Sequence, residues 1–207
     1  VALAWQHYKQ DQFIQGTYGD GEYGTPEFKG CSVGCMANGM HDNYTKLFGI
    51  VPQIAYLSDA IFEGLNTVDA KEWTLQLFNS IKVGSNTKSI FHKFMHFILV
   101  DPKHGVNRFS DCDEIKNVTE LHLKAASGEE ITDAAWRDAA DVAYATAARS
   151  ADAAYVAADA ADAAYAAARS VAYAASTANA RAAREKHYQI MRDKLISLFE
   201  NEVIVND

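Results

Sequence analysis

Residue type and spacing come closest to chemistry at Cys31-Ser-Val-Gly-Cys35, followed six residues later by His41. Thiolates and a neutral imidazole are good zinc ligands, and the glycines here let a loop wrap tightly. The two cysteines stand four apart, however, and the third, Cys112, has no neighbour to form a second pair. His7 supplies a fourth ligand only by tertiary contact. On a helical turn the two thiols instead share one face and act as small apolar packing residues. The sequence alone therefore calls for no metal and no cofactor, with Cys31, Cys35 and His41 as the weak candidate ligands.

Other chemistry-bearing groups are weaker. His92-Lys-Phe-Met-His96 sets two imidazoles on one helical face, but Lys93 stands where the zinc-protease pattern needs a glutamate as base. Gly19-Asp-Gly21 lacks the GxxxxGK[ST] arrangement of a phosphate loop, and no nucleophile elbow occurs. Phe62-Glu63-Gly64 closes an apolar helix with a glutamate that either reaches into a cleft or lies exposed. Asp101, Pro102, His104 and Gly105 form a polar loop with no assignable role.

The elements that must position these residues read as helices. Leu3, Trp5, Tyr8, Phe13 and Ile14 predict a short amphipathic helix that Gly16 ends. Gly16 to Gly30 reads as a loop or tight turns, and Cys31 to Tyr44 shows no clear periodicity. Pro52 suits a helix N1 position, with Ile54, Leu57, Ile61 and Phe62 at helical spacing up to Gly64. Further helices are predicted from Val68 to Ile81, from the Asn86–Ser89 region to Asp101-Pro102, and from Asp111 or Asp113 to near Gly128.

Beyond Gly128, with Thr132 or Asp133 as N-cap, more than half of the residues from Ala134 to Ala183 are alanine, without glycine or proline. Alanine loses no side-chain entropy in a helix and buries no polar group, so this segment is expected to be helical. One continuous helix to Phe199 spans roughly 100 Å, which favours a fold-back at Ser150, Ser170 or Ser176–Asn179. Tyr144, Tyr155 and Tyr173 fall within roughly 20° of one another on the helical wheel, with Tyr165 and Trp136 to one side. This is expected to be a packing stripe. Asp152-Ala-Ala-Tyr155 recurs as Asp162-Ala-Ala-Tyr165, at a shift that does not return to one helix face.

The expected architecture is all-α: residues 1–128 as a helical globular domain with a Gly-rich loop over 16–49, and residues 129–207 as an alanine-rich long helix or hairpin packed on it or on a second copy. A formal charge of −8, with 27 acidic against 19 basic residues, excludes a nucleic-acid duplex as partner. The Arg181, Arg184, Lys186, Arg192, Lys194 cluster is broken by Glu185 and Asp193 and suits a helix C-terminus. Sparse cysteines, no signal-like start and no membrane-length apolar run lead to the expectation of a soluble cytoplasmic protein without a membrane partner.

Phe28-Lys-Gly-Cys-Ser-Val-Gly-Cys35, Gly49-Ile50, Asp59-Ala-Ile-Phe-Glu-Gly-Leu65 and the Ala-Tyr-Ala-Ala-Arg tail together resemble an uncharacterised group of bacterial and phage proteins. The resemblance covers most of the chain. It implies a helical fold and a microbial setting, and it carries over no activity.

With no catalytic constellation stronger than its structural explanation, the sequence weighs against an enzyme. The leading expectation is a non-enzymatic binding protein that sequesters a small, nucleotide-like ligand or blocks a partner protein in phage–bacterium conflict. Trp5, His7, Tyr8, Tyr23, Cys31, Cys35, His41, Tyr44, Arg149, Tyr165 and Arg169 are its candidate ligand contacts. One alternative is a Cys/His-loop enzyme, such as a metal-dependent hydrolase. Another is a structural protein that forms a homo-oligomer through the alanine helix.

Overall fold

The computed structural model describes residues 1–38, 40–108, 113–149 and 178–202. Over these the protein is all-α, and no strand occurs beyond isolated bridges pairing Phe13 with Gly30 and Asp20 with Lys29. No helix among the described residues is long and apolar enough to cross a membrane. The chain divides into two units: Val1–Thr87 with Tyr188–Asp207, and Lys88–His187.

The first unit contains α1 (Ala2–Lys9), α2 (Ser32–Ala37), α3 (Asn43–Phe48), α4 (Pro52–Gly64) and α5 (Thr67–Ser80). Helix α4 is its organising element, packing against α2, α3 and α5. Pro52 at N1 lacks the amide hydrogen that a first turn cannot use, and its fixed φ suits the helix. Ile54, Ala55, Leu57, Ser58, Ile61 and Phe62 are buried. Trp73 of α5 is fully buried, and its indole N–H donates to the Ser58 carbonyl at 2.9 Å. Asn66 caps α5, accepting from the amides of Val68 and Asp69.

α1 is shorter than its apolar pattern predicts. Asp11 adopts a left-handed φ of 52°, which stops the helix, and Gln12 turns inward to meet His7. The aperiodic stretch after Cys31 forms two six-residue helices, each too short to display a period.

A last helix, Ala178–Glu200, joins the first unit from Tyr188 onward. Met191, Leu195 and Phe199 are buried there, and Gln189 and Arg192 both reach Asp69. A Cβ at Gly64 would overlap the Tyr188 ring, so this glycine permits close approach between elements.

The second unit contains α6 (Thr87–Val100) from Lys88 onward, α7 (Asp113–Ala126) and α8 (Asp133–Arg149). Ser89 of α6 donates to the Ala126 carbonyl at 2.6 Å, and α7 packs on α8. Gly128, at φ +94°, makes the turn after α7. Thr132 then caps α8 by accepting from the Ala135 amide at 3.1 Å. The alanine-rich segment is thus helical at both ends. Its course from 150 to 177, with the choice between one helix and a hairpin, lies outside the described residues.

Candidate functional site

Helix α4 has a second face. Tyr56, Asp59 and Glu63 recur at helical spacing, so they stand in a row beside the buried stripe. Asp59 and Glu63 there meet the thiol of Cys31, with one donor atom from each residue lying within 4.8 Å of the other two.

Local sequence chemistry brings Cys31 to this place. It is the extended N-cap of α2, and its sulfur accepts from the Gly34 amide at 3.4 Å. Its own amide donates to the Thr17 carbonyl at 2.8 Å, holding the glycine-rich loop against α2. A side chain at Gly30 or Gly34 would strike the Tyr18 carbonyl oxygen. These two glycines therefore admit the loop backbone, although Gly34 costs the helix roughly 0.5–1 kcal/mol relative to alanine. Further along the loop, the Gly16 amide donates to both Glu63 carboxylate oxygens, at 2.9 and 3.1 Å. Gln15 donates to the Phe62 and Leu65 carbonyls at the end of α4.

His41 completes the group. Its ring stacks on Tyr56 with centroids 4.0 Å apart and 11° between planes, and Tyr18 meets it edge-on at 5.6 Å. Its Nε2 lies 3.8 Å from Asp59 Oδ2. The His41 side chain is 10% exposed and that of Asp59 15%. His41 Nε2 and Asp59 Oδ1 are both shielded from solvent without a hydrogen-bond partner.

The electrostatics have one sign. Burial first, and then the Asp59 charge, pushes the Cys31 thiol upward. Burial likewise raises Glu63, with the Gly16 amide opposing the shift and Asp59 adding to it. The Tyr18 phenol is pushed up to about 12 by the same two causes, burial first. Acids crowded around a carboxylate resist a second negative charge. The Cys31 thiol is therefore a poor nucleophile as it stands.

Among the residues proposed from sequence, Cys31 and His41 come together at Asp59. Cys35 is buried elsewhere on α2, where its thiol donates to the carbonyls of Gln12 and Gly30 and burial pushes it up to about 12. Tyr23 donates to the Cys35 carbonyl at 3.3 Å. Tyr44 is fully buried, with its hydroxyl 3.5 Å from Ser32 Oγ. His7 is buried, with Nδ1 2.5 Å from Gln12 Oε1. Trp5 and Tyr8 pair edge-to-face on α1. Arg149 falls at the end of α8. Its side chain, with Tyr165 and Arg169, lies outside the described residues.

Sequence reasoning did not assemble Tyr18, Tyr56, Asp59 and Glu63 into a site. The signals available were Glu63, already singled out as reaching into a cleft or lying exposed, and its i, i+4 spacing from Asp59 on the polar flank of α4.

The second unit holds a different cluster. His92 Nδ1 and His122 Nδ1 are 2.9 Å apart and buried. Trp136 stacks parallel to His92 at 5.8 Å and tilts over His122 at 4.8 Å. Burial, then the nearby positive groups, lowers both histidines: Lys88 acts on His92, while His92 and His96 act on His122, which falls to about 3.

No family model, curated protein or solved structure matches this chain.

Proposed function

We propose that the protein is a hydrolase centred on Cys31, His41, Asp59 and Glu63, and that it activates water rather than forming a thioester on Cys31. The observation behind this reading is the pair of shielded atoms, His41 Nε2 and Asp59 Oδ1, left without partners beside a thiol and a second carboxylate. A buried polar atom without a partner costs about 1–3 kcal/mol. That cost is offset when a water or substrate completes the bonding.

In this scheme the Tyr56 ring holds His41 by stacking, while Asp59, facing Nε2, shares the attacking water and stabilises the imidazolium that forms. A water placed at Nε2 gives its proton to the imidazole while its oxygen attacks an acyl carbon. The C–O or C–N bond then breaks, and the leaving group takes the proton back. Two carboxylates disfavour phosphate substrates, so neutral esters or amides fit the charge better. The two sequence blocks that carry the resemblance, 28–35 and 59–65, supply Cys31, Asp59 and Glu63.

The purified protein is to be assayed against a panel of esters, amides and phosphodiesters. Turnover of an ester or amide is expected, falling about 10²–10⁴-fold in His41→Asn. Inertness across the panel, or an acyl adduct on Cys31 in the quenched reaction, overturns the proposal.

A second reading, sequestration of a small ligand or blocking of a partner protein, draws on the aromatic rim. Tyr18 and Tyr56, which both meet the His41 ring, expose 52% and 58% of their surfaces. Calorimetric titration with nucleotides tests its ligand form, and heat without turnover favours it over hydrolysis.

A further inference from the structure

We propose that Cys31, Asp59, Glu63 and His41 form a binding site for a thiophilic divalent cation of the zinc class. The inference rests on the same site as the hydrolase reading but does not require hydrolysis; with Nε2 on the cation, the cation and not His41 would be the group that activates water. Three donors from α4 and the α2 N-cap already lie within 4.8 Å of one another. Independently, the His41 side chain is nine-tenths buried and holds an unpartnered Nε2 3.8 Å from Asp59 Oδ2.

The dimensions and the chemistry agree. Tetrahedral zinc, with bonds of about 2.0–2.3 Å, sets its ligand atoms about 3.3–3.6 Å apart. The His41–Asp59 separation of 3.8 Å is close to that edge, whereas the Cys31, Asp59 and Glu63 donors, within 4.8 Å of one another, must draw in, and His41, outside that trio, must close on the other two. Glu63, in the last turn of α4, is the most exposed of the three clustered donors, and the Gly16 amide can keep one of its oxygens while the other turns to the cation. A sulfur ligand selects zinc-like ions over magnesium or calcium, which take oxygen donors. A dication also removes the conflict among the acids by neutralising Asp59, so that Cys31 can bind as the thiolate.

The stacking of His41 on Tyr56 fixes its ring plane, as outer partners do in metal sites. Cys35 stays outside the set because its sulfur is engaged with main-chain carbonyls.

The test is metal analysis of the full chain, followed by chelation and replacement with cobalt(II). About one zinc per chain is expected, whether as purified or after zinc loading and gel filtration. The cobalt form should show a sulfur-to-metal charge-transfer band that Cys31→Ser removes while the helical circular dichroism is kept. Should Cys31→Ser fail to fold, Glu63→Gln carries the test, with an expected loss of about 10–100-fold or more in zinc affinity. No retained zinc, a cobalt band that survives Cys31→Ser, or unchanged affinity in Glu63→Gln overturns the site. Zinc binding without turnover leaves the site standing and removes the hydrolase. Turnover in protein that retains no zinc after loading does the reverse.

Discussion

Both units bury titratable side chains, yet the two clusters ask for opposite things. Around Asp59 the neighbours are acids, so burial and charge together raise Cys31, Glu63 and Tyr18 and disfavour their charged forms. Around His122 the neighbours are bases, and the same desolvation holds the imidazoles in their deprotonated forms. In each case the low-dielectric surroundings penalise the charged state. What differs is the remedy: a cation relieves the first cluster, whereas the second needs only to remain neutral beneath Trp136. Burial of ionisable groups is therefore not by itself a mark of a site. Both clusters leave a buried ring nitrogen without a partner, His41 Nε2 in the first and His122 Nε2 in the second, so it is the sign of the surrounding field that separates them.

The sharpest way to break this contrast is through the glycines. Gly34→Ala puts a methyl into the Tyr18 carbonyl, where backbone must move, and is expected to cost about 3 kcal/mol. Gly128→Ala has open space around it and faces only the strain of φ +94°, about 1 kcal/mol. Urea denaturation of both variants checks the difference. Equal losses would mean that loop closure over α2 does not set the stability of the first unit.

Titration is the next largest effect. His122 has a folded value of about 3, well below that of the unfolded chain. Its neutral form therefore supports the fold above the unfolded value near 6.5, and this support is lost as pH falls. Between pH 8 and pH 5 the loss is about 2 kcal/mol. Cys35 behaves in the opposite sense. Its folded value of about 12 means that the fold loses support as pH rises above the unfolded value near 9, by about 2 kcal/mol at pH 10.5. Melting temperature followed across pH should fall on both sides. His122→Gln should flatten the acid limb alone.

Smallest are the helix caps. Asn66→Ala in the first unit and Thr132→Ala in the second each remove a side chain that accepts amide hydrogen bonds, and each is expected to cost about 1 kcal/mol. Hydrogen exchange should place the first loss in α5 and the second in α8.

Helix content was largely readable without coordinates. Pro52, the apolar spacing up to Gly64, the Val68–Ile81 pattern and the Thr132 cap each locate a boundary by local chemistry that tertiary contacts did not override. α1 ran short because a left-handed Asp11 carries no apolar signal. The site was half readable. Cys31 and His41 stood out by residue type and Glu63 was left between a cleft and an exposed helix end, but nothing in the sequence set Asp59 apart as a functional group. Cys35 looked equivalent to Cys31, and only its carbonyl partners distinguish it.

The amino-acid order alone determined that this chain is helical, because alanine propensity, proline placement and a 3.6-residue apolar period act within a few residues of one another. It also supplied every functional group of the candidate site. Tertiary structure decided which of them meet. Gly30 and Gly34 admit the Tyr18 backbone, the Gly16 amide holds Glu63, and Tyr56 fixes the His41 ring. Such contacts depend on close approach between segments from 12 to 47 residues apart, and no local period encodes that distance.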